Sequence, residues 1–299
     1  MLDSQNEQCG YVAIIGRPNV GKSTLLNRLI GQKISITSRK PQTTRYRILG
    51  IKTVERRQAI YVDTPGLQKS PRGTMNRYMN REVYSAIVGV DFIVHIIEAL
   101  SWTEEDDYVI SQLKTLSLPV ILAINKIDKV KDKSELLPYL DKIRHTLDYK
   151  EIFPISARKG DNVKALDQCI LSQLPRGPLC YPVDQLTDRS ERFFAAELIR
   201  EKLMRMLGAE VPYHLSVVVD QFTRQKGVLQ IMATIWVERP GQKQIVIGKN
   251  GSVLKEAGEQ ARKDMERMFG SKVFLRTWVK IKERWSDDRR ALQELGYHA

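Results

Sequence analysis

A glycine-rich turn between a strand and a helix constrains this chain more than any other feature. The apolar run 11–15 predicts a buried strand, and the leucines of 24–30 recur at helical spacing. Between them, Gly16 and Gly21 permit a tight turn whose backbone N–H groups converge on an anion, and Lys22 adds a positive charge. A glycine turn that binds nothing is the alternative. The predicted phosphate loop consists of Gly16, Arg17, Pro18, Asn19, Val20, Gly21, Lys22, Ser23 and Thr24.

Composition narrows the class of protein. The chain has 299 residues, the length of one large domain or two ordinary ones. Its net charge of +13 favours a polyanionic partner, nucleic acid ahead of a membrane, because lysine and arginine displace counterions from phosphates. A solvated basic surface is the alternative. Three scattered cysteines predict a reducing compartment, and the first residues lack the pattern of a signal peptide, so we expect a cytoplasmic protein.

A proline-rich stretch marks the predicted domain boundary. Residues 175–182 contain three prolines and a glycine, which helices and sheets tolerate poorly. The sequence therefore predicts two domains joined by a linker. The predicted divisions are a tail over 1–10, a first domain over 11–174, a linker over 175–187 and a second domain over 188–299.

A carboxylate follows the second strand of a predicted hairpin. The hairpin strands are 46–52 and 58–62, and Asp63 comes directly after the second. A carboxylate at the end of a buried strand, within reach of a phosphate loop, suits a Mg²⁺ ion held mostly through water. Ser23 can also hold Mg²⁺, whereas a simple turn over 63–66 is the alternative. The residues of this motif are Asp63, Thr64, Pro65 and Gly66.

A second polar motif, at the end of strand 120–124, predicts selection of guanine. A carboxylate accepts hydrogen bonds from both the ring N–H and the exocyclic amine of guanine, whereas adenine offers no such pair of donors. Asp128 is assigned that role, Asn125 is expected to tie its loop to the phosphate loop, and the Lys126 stem to cover the base. Strand 151–155 leads into Ser156, Ala157 and Arg158, where a backbone N–H is expected to meet the guanine oxygen.

The order of the elements predicts the fold class. Strands alternate with helices up to residue 174, which predicts an α/β domain with a mostly parallel sheet and helices on both faces. All candidate ligands lie at the carboxyl ends of strands, where such sheets bind. Each later motif taken singly reads as an ordinary loop, but their order and placement together favour a nucleotide site.

Residues 11–174 resemble a Ras-like GTPase domain of the Era family. The matching motifs are 16–23, Thr43-Thr44-Arg45, 63–66, 125–128 and 156–158. The resemblance implies slow, Mg²⁺-dependent hydrolysis of GTP to GDP. It also implies that Thr44, with Thr43 as the alternative, closes on Mg²⁺ when the γ phosphate is present. The implied catalytic residues are Lys22, Thr44 and Gly66, and the implied Mg²⁺ ligands are Ser23, Thr44 and Asp63.

One position departs from Ras. Leu67 stands where Ras has the glutamine that orients the attacking water, and leucine cannot hydrogen-bond water. In Era-like GTPases, an asparagine at the position of Asn19 is linked to binding K⁺ beside the phosphates, so the resemblance implies K⁺ as a further cofactor. The alternative is that Asn19 only shapes the turn.

The second domain begins with a predicted helix from Asp188, with Glu191 completing its cap, and continues with strands over 214–222 and 228–237. A Gly-x-x-Gly loop and a helix to Phe269 follow, and then a strand and a short helix from Trp285. This order resembles an α+β type II KH domain, in which the glycine pair lets the loop approach a sugar-phosphate backbone. The glycine pair alone is also common in ordinary turns. The predicted RNA-binding residues are Ile247, Gly248, Lys249, Asn250, Gly251, Ser252 and Lys255.

Apolar side chains in the second domain allow two interpretations. Aromatic residues on strands are able to stack bases, but most are expected to lie in the core. Those residues are Trp236, Phe274, Trp278 and Trp285. The side chains expected to line a groove for unstacked bases are Ile245, Val246, Ile247, Val253 and Leu254.

The resemblance implies a GTP-driven switch. A member of this family binds near the 3′ end of small-subunit ribosomal RNA and assists maturation of the 30S subunit, with links to growth and the cell cycle. It is expected to be a monomer, cytoplasmic, with a peripheral fraction at the inner membrane. The order of GTPase domain, proline-rich linker and KH domain carries this expectation.

Two alternatives belong to other classes. One is an RNA-processing enzyme fuelled by GTP, but the four histidines, His95, His145, His214 and His298, are isolated and form no catalytic group. The other is a membrane-associated regulatory GTPase whose KH-like domain binds a protein or an acidic lipid. Salt-sensitive RNA binding that depends on the Gly-x-x-Gly loop discriminates against the second alternative.

Overall fold

The computed structural model describes residues 6–71, 73–208 and 211–297. Residues 1–5 of the predicted tail and His298 lie outside them. The described residues form two compact units. The first contains 6–35, 44–71 and 79–188, and the second contains 36–43, 73–78, 189–208 and 211–297. Two short segments of the predicted first domain therefore belong to the second unit.

The first unit is built on a six-stranded sheet. Its strands are β1 (Gln8–Ile15), β2 (Ile48–Val54), β3 (Arg57–Asp63), β4 (Phe92–Glu98), β5 (Val120–Asn125) and β6 (Tyr149–Pro154). The spatial order is β2-β3-β1-β4-β5-β6, and every neighbouring pair is parallel except β2 with β3. The central strands are almost continuously apolar because both sheet faces are covered. The predicted, mostly parallel α/β fold is confirmed.

Helices follow the strands in alternation. They are α1 (Lys22–Ile30), α2 (Gly73–Ile87), α3 (Glu104–Leu113), α4 (Leu136–Ile143) and α5 (Val163–Ser172). The connections run to either side of β1, which is the arrangement that places helices on both faces of a parallel sheet, and α1 and α5 contact each other. The strand order reverses between β1 and β4, so loops from several carboxyl ends converge there.

The N-terminal strand is longer than predicted because the linker pairs with it. β1 begins at Gln8, three residues before the predicted start. The Cys9 N–H donates to the Pro175 carbonyl over 3.1 Å, and the Gly177 N–H donates to the Glu7 carbonyl over 3.0 Å. The linker thereby satisfies backbone groups along the start of β1 and belongs to the first unit.

A buried histidine lies in the middle of this sheet. His95 of β4 has no solvent exposure, and its Nδ1 lies 3.1 Å from the Tyr149 hydroxyl. Its Nε2 has no hydrogen-bond partner among the described residues. Burial lowers the pKa of His95 to about 3 because the charged imidazolium would lose its hydration.

This burial predicts an acid-sensitive stability. The unfolded chain protonates His95 near pH 6.5 while the folded chain does not, so stability falls as the pH drops below 6.5. Lowering the pH from 7.5 to 5.5 is therefore expected to reduce the free energy of unfolding by about 1.4 kcal/mol through this histidine. We expect His95→Gln to remove that part of the pH dependence in urea unfolding, and the exposed His145→Gln to leave it unchanged. Identical pH dependence in His95→Gln and the unsubstituted protein would contradict the assignment.

The second unit has a three-stranded sheet covered by helices. Its elements are α6 (Glu191–Met206), β7 (Leu215–Gln225), β8 (Val228–Val237), α7 (Pro240–Ile247), α8 (Ser252–Phe269), β9 (Lys272–Ile281) and α9 (Arg289–Glu294). β7 and β8 are antiparallel, whereas β8 and β9 are parallel. Inward residues of the sheet pack against α6, α7 and α8 in one apolar core. The resulting α-β-β-α-α-β order agrees with the KH domain that the sequence resemblance implies.

Two helix starts differ from the prediction. The cap of α6 is Ser190, whose hydroxyl accepts from the Phe193 N–H over 3.3 Å. Asp188 was predicted as that cap, but its carboxylate accepts from the Leu49 N–H over 3.1 Å. The last helix begins at Arg289 instead of Trp285, because Asp288 accepts from the Arg290 N–H over 2.8 Å and caps it there. None of the helices among the described residues has the length and apolarity needed to cross a bilayer.

Candidate functional site

The phosphate loop joins the end of β1 to the start of α1. Gly21 has φ of 108°, and a Cβ there would lie 2.3 Å from Nδ2 of Asn125. A Cβ on Gly16 would lie 2.3 Å from the Ile96 carbonyl oxygen. Both positions therefore require glycine, as the motif predicts, because neighbouring atoms leave no room for a Cβ and because Gly21 has a left-handed backbone. Lys22 lies within the loop, and its Nζ donates to the Gly16 carbonyl over 3.0 Å and to the Arg17 carbonyl over 2.9 Å.

The buried ammonium group of Lys22 suits an anionic ligand. Burial lowers its pKa to about 8, while the nearby Asp63 carboxylate acts in the opposite direction. A phosphate beside the ammonium would stabilise its charged form for the same electrostatic reason. The Arg17 side chain faces elsewhere, since its Nε donates to Asp106 over 2.8 Å. We therefore expect Arg17 to contact a bound phosphate through its backbone N–H and not through its side chain.

Three predicted Mg²⁺ ligands meet at one point. The Ser23 hydroxyl lies 2.7 Å from the Thr44 hydroxyl and donates to Oδ2 of Asp63 over 2.8 Å. They come from α1, from the loop before β2 and from the end of β3. Because all three groups are hard oxygen donors, the cluster has the chemistry that Mg²⁺ prefers.

The state of Asp63 supports a cation at this cluster. Its carboxylate is fully buried, and burial raises its pKa. Its Oδ1 accepts no hydrogen bond among the described residues. A buried carboxylate oxygen without a partner is costly unless something positive binds it, so the site fits a divalent cation.

Sequence reasoning missed two residues that position Asp63. The buried Ser35 hydroxyl donates to Oδ2 of Asp63 over 2.9 Å. Asn27 of α1 holds Ser35, because its Oδ1 accepts from the Ser35 N–H over 2.9 Å and its Nδ2 donates to the Ser35 carbonyl over 2.7 Å. A serine in a polar loop carries no sequence signal for such a contact.

The structure separates the two neighbouring threonines. The Thr43 hydroxyl donates to the Lys40 carbonyl over 2.7 Å and contacts the Ser38 hydroxyl at 2.7 Å. The Thr44 hydroxyl instead lies at the Ser23 hydroxyl. The geometry therefore favours Thr44 as the residue at the metal cluster.

Asn125 joins the loops that surround the predicted guanine pocket. Its Nδ2 donates to the Val20 carbonyl over 2.7 Å, and its Oδ1 accepts from the Ala157 N–H over 2.9 Å. The Asp128 carboxylate is oriented by the Ser156 hydroxyl, which donates to it over 2.7 Å. The bond to Val20 ties the loop after β5 to the phosphate loop, as predicted, and the other two contacts add the loop after β6.

The loop over 156–158 differs from the prediction in one respect. The Ser156 N–H donates to the Asp161 carbonyl over 3.0 Å, and the Ala157 N–H donates to Asn125. Both groups are therefore occupied by protein acceptors, and reading of the guanine oxygen by this loop stays a prediction. Lys126 has φ of 68°, and its Nζ donates to Glu98 over 2.6 Å. That ion pair fixes the lysine stem beside the loop.

The segment after β3 approaches the phosphate loop closely. A Cβ on Gly66 would lie 2.6 Å from Pro18, so a larger residue would push the two loops apart. The Thr64 hydroxyl donates to the Ile14 carbonyl over 3.1 Å. Leu67 is 1% exposed, and its side chain packs in the apolar core.

The Gly-x-x-Gly loop lies between α7 and α8. Gly248, Asn250 and Gly251 all have positive φ, of 75°, 53° and 76°. The left-handed residues turn the backbone sharply and leave the side chains of Lys249 and Lys255 exposed. The predicted RNA-binding residues therefore form the last residue of α7, the loop and the first turn of α8.

The structure contradicts one member of the predicted apolar groove, and the groove itself stays a prediction. Val246 is fully buried in the core of the second unit, so it cannot line a groove as predicted. Val246 faces the sheet because α7 packs against the sheet through this residue. Ile245 is exposed, and Ile247, Val253 and Leu254 are partly buried at the edge of the core.

The segment Ile36–Thr43 belongs to the second unit and is held by α6. The Arg205 guanidinium donates to the Thr37 carbonyl over 2.9 Å, and Glu201 accepts from the Thr37 N–H over 3.0 Å. The buried Arg200, paired with Glu197 over 2.7 Å, donates to the Thr43 carbonyl. Both ends of this segment are therefore hydrogen-bonded to the first helix of the KH unit.

The Ras-like sheet, its convergent loops and the second unit define a P-loop GTPase that carries a KH domain. A family model described as 50S ribosome-binding GTPase matches residues 11–126, and a KH domain model matches residues 210–286. The chain is 54% identical to GTPase Era of Ectopseudomonas mendocina, covering 99% of both chains. It is also 54% identical to GTPase Era of Coxiella burnetii, covering 97% of this chain and 98% of the relative. The chain belongs to the Era family and is a GTP-hydrolysing enzyme.

Solved structures agree with that membership. The chain resembles Era in complex with MgGDPNP and nucleotides 1506–1542 of 16S ribosomal RNA, with a TM-score of 0.95 and 38% identity over 98% of this chain and 100% of the other. It also resembles a tyrosine-to-alanine variant of Aquifex aeolicus Era bound to GDP.AlF4⁻, with a TM-score of 0.94, 38% identity and the same coverage. The predicted GTPase and KH folds are confirmed along nearly the whole chain.

Proposed function

We propose that this protein is a GTP-driven switch that binds the 3′ region of small-subunit ribosomal RNA and assists assembly of the 30S subunit. One observation carries the proposal. Thr37 and Thr43 of segment 36–44 are hydrogen-bonded to α6 of the KH unit, while its last residue, Thr44, lies at Ser23 beside the phosphate loop. A nucleotide-dependent movement of Thr44 is thereby transmitted through the chain to the helix that supports the RNA-binding unit.

In this proposal the first unit binds GTP and Mg²⁺. Lys22 neutralises the β and γ phosphates, and Ser23, Thr44 and Asp63 hold the metal. Asp128 reads the guanine edge, with Ser156 orienting its carboxylate. Mg²⁺ and a GTP analogue are both present in the related Era complex, which supports these assignments. Mg²⁺ supplies charge neutralisation at the phosphates when it is bound.

The second unit binds RNA through the Gly-x-x-Gly loop in this proposal. The related Era complex contains 16S ribosomal RNA nucleotides, and the chain shares its fold over both units. The positive-φ turn over 248–251 brings backbone close to a sugar-phosphate chain, and Lys249 adds charge.

The test of the RNA function uses two variants of Gly251. A Cβ at this position meets nothing within 4 Å, so a side chain has room. Asparagine and aspartate both tolerate left-handed backbone, but only aspartate repels phosphate. With RNA corresponding to nucleotides 1506–1542, we expect Gly251→Asp to weaken binding about tenfold or more and Gly251→Asn to weaken it far less. Equal affinity of both variants and the unsubstituted protein would contradict the proposal.

We also propose that K⁺ completes the hydrolytic site, since the buried, apolar Leu67 side chain cannot orient a water by hydrogen bonding. Asn19 has φ of 65°, in the loop that surrounds the phosphates. We expect faster GTP turnover in K⁺ than in Na⁺ at matched ionic strength. Asn19→Gly keeps the left-handed turn and removes the side-chain oxygen, so it is expected to abolish the difference between the two cations. Equal turnover of the unsubstituted protein in both salts would remove the idea.

The remaining proposals concern location and assembly. We propose a monomer that is cytoplasmic, with a peripheral fraction at the inner membrane through its basic charge. Sedimentation with vesicles of phosphatidylcholine and phosphatidylglycerol tests the membrane fraction. Vesicle binding together with an unresponsive RNA affinity in Gly251→Asp would instead favour the membrane-associated regulator.

A further inference from the structure

Strand β9 exposes a row of aromatic and basic side chains. Val273 and Val279 point inward and are buried, whereas Phe274 is 50% exposed and Trp278 is 37% exposed. Arg276 and Lys280 alternate with them on the same side, because successive side chains of a strand point to opposite faces. The expectation that most of these aromatics lie in the core is wrong for Phe274 and Trp278, although Trp285 is fully buried.

This row lies on the face of the sheet opposite α6 and α8. The inward residues of β7, β8 and β9 pack against α6 and α8. On the other face, Trp236 of β8 lies beside Lys280 in the parallel register. We call Trp236, Lys272, Phe274, Arg276, Trp278 and Lys280 the outer sheet face. Because α8 covers the inner face and begins at the Gly-x-x-Gly loop, that loop lies on the helical side of the unit.

The basic groups of the outer sheet face contact its rings. The Arg276 guanidinium carbon lies 5.3 Å from the centre of the Trp278 ring, and the Lys280 Nζ lies 5.8 Å from that of Trp236. These cation–π contacts hold positive charge against the rings while the rings stay accessible. One carboxylate lies at the margin, since Asp220 of β7 accepts from the Thr234 hydroxyl over 2.7 Å.

Alternating rings and cations match one kind of partner. Single-stranded RNA presents flat bases that stack on aromatic side chains and phosphates that pair with basic ones. Phe274 and Trp278 are four residues apart on one strand, or about 13 Å at roughly 3.3 Å per residue, so each ring can take a separate base. Large exposed aromatics are uncommon on a surface without a partner, and the three basic residues of this row favour a polyanion over an apolar protein face.

We propose that the outer sheet face is a second binding surface for single-stranded RNA, on which Phe274 and Trp278 stack bases and Lys272, Arg276 and Lys280 contact phosphates. It rests on the proposed RNA function of the KH unit. Strand β9 is at the edge of the sheet, in the order β7-β8-β9. RNA that leaves the Gly-x-x-Gly loop reaches the outer sheet face by passing around this edge.

The test compares RNAs of two lengths. A four-nucleotide oligomer matches the stretch that a Gly-x-x-Gly loop clamps, and a 14-nucleotide single strand containing it is long enough to reach both surfaces. We expect the double variant Phe274→Leu, Trp278→Leu to weaken binding of the long RNA at least tenfold and to leave the short one unchanged. The variant Phe274→Tyr, Trp278→Phe keeps both rings and is expected to retain affinity for the long RNA.

A charge variant adds an independent readout. Arg276→Gln is expected to reduce the salt slope for the long RNA by about one and to leave the slope for the short RNA unchanged. Gly251→Asp is expected to weaken binding of both RNAs. If the proposed RNA function of the loop is wrong, this variant binds both RNAs with unchanged affinity. If Gly251→Asp weakens both RNAs while the leucine variant binds the long RNA normally, the second surface is overturned. Loss of vesicle or protein binding in the leucine variant, with normal RNA binding, overturns it as well.

Discussion

Substitution of Asp128 by asparagine is expected to weaken GTP binding by about 100-fold to 1,000-fold. The carboxylate offers two acceptors to the N1–H and the exocyclic amine of guanine, and Ser156 holds it in place over 2.7 Å. Asparagine replaces one carboxylate oxygen with an NH₂ group, which then faces an N–H donor of guanine. The variant therefore loses a charge-assisted hydrogen bond and leaves a donor without a partner. Isothermal titration calorimetry with GTP and GDP measures the loss directly.

Asp128→Asn is also expected to gain a preference for a different base. Xanthine carries a carbonyl where guanine carries the exocyclic amine, so the asparagine amide pairs with xanthine through one donor and one acceptor. We therefore expect Asp128→Asn to bind xanthosine triphosphate more tightly than GTP. Asp132→Asn is the matched control, because Asp132 is an exposed carboxylate that caps a short 3₁₀ helix by accepting from Ser134. An unchanged preference for GTP in Asp128→Asn, or ATP competing equally with GTP, would contradict guanine recognition.

Substitution of Lys22 by alanine is expected to reduce GTP turnover by about 100-fold to 1,000-fold. Its Nζ lies over the loop carbonyls of Gly16 and Arg17, where the β and γ phosphates of a P-loop nucleotide bind. Negative charge grows at those oxygens during hydrolysis, and removing one preorganised donor from such a site costs about 3–4 kcal/mol. Single-turnover hydrolysis with excess enzyme separates this effect from loss of binding.

The control for Lys22→Ala is Lys150→Ala, which removes an exposed lysine of β6. It changes the net charge equally and is expected to leave turnover within about a factor of two, since the charge of an exposed lysine is screened by salt. Circular dichroism of both variants reports whether the fold is kept. Turnover of Lys22→Ala within threefold of the unsubstituted protein would contradict the assigned role.

The nucleotide site was predictable because its parts are local in sequence. Gly16, Gly21 and Lys22 act through a single turn, and the structure requires both glycines by contacts of 2.3 Å. The motifs after β3 and β5 were predictable because parallel strands bring their carboxyl ends to one edge. Sequence alone therefore placed Ser23, Asp63 and Asn125 near one another.

Other features depend on contacts that are distant in sequence. The hydroxyls of Thr43 and Thr44 are adjacent in the chain, and only the folded loop directs one to Lys40 and the other to Ser23. Asp188 was expected to cap α6 but accepts from Leu49, which is 139 positions away. The helix-capping propensity of Asp188 depends on neighbouring residues and does not predict a hydrogen bond to a residue so far away in the sequence.

Burial in the KH unit was equally hard to predict. A strand with alternating valines and aromatics shows two faces, but the sequence does not say which of them the helices cover. The valines of β9 face the core, so Phe274 and Trp278 are exposed. Val246 was expected in a groove but is buried, because α7 packs on the sheet through that residue.

We propose that the bound nucleotide controls RNA binding through segment 36–44. The direct measurement is the dissociation constant for RNA corresponding to nucleotides 1506–1542, with a non-hydrolysable GTP analogue and with GDP, at one salt concentration. We expect tighter RNA binding with the analogue than with GDP. The ratio of the two dissociation constants is expected to be smaller in Arg205→Ala, which releases the Thr37 carbonyl from α6. Identical dissociation constants in the two nucleotide states would contradict the proposal.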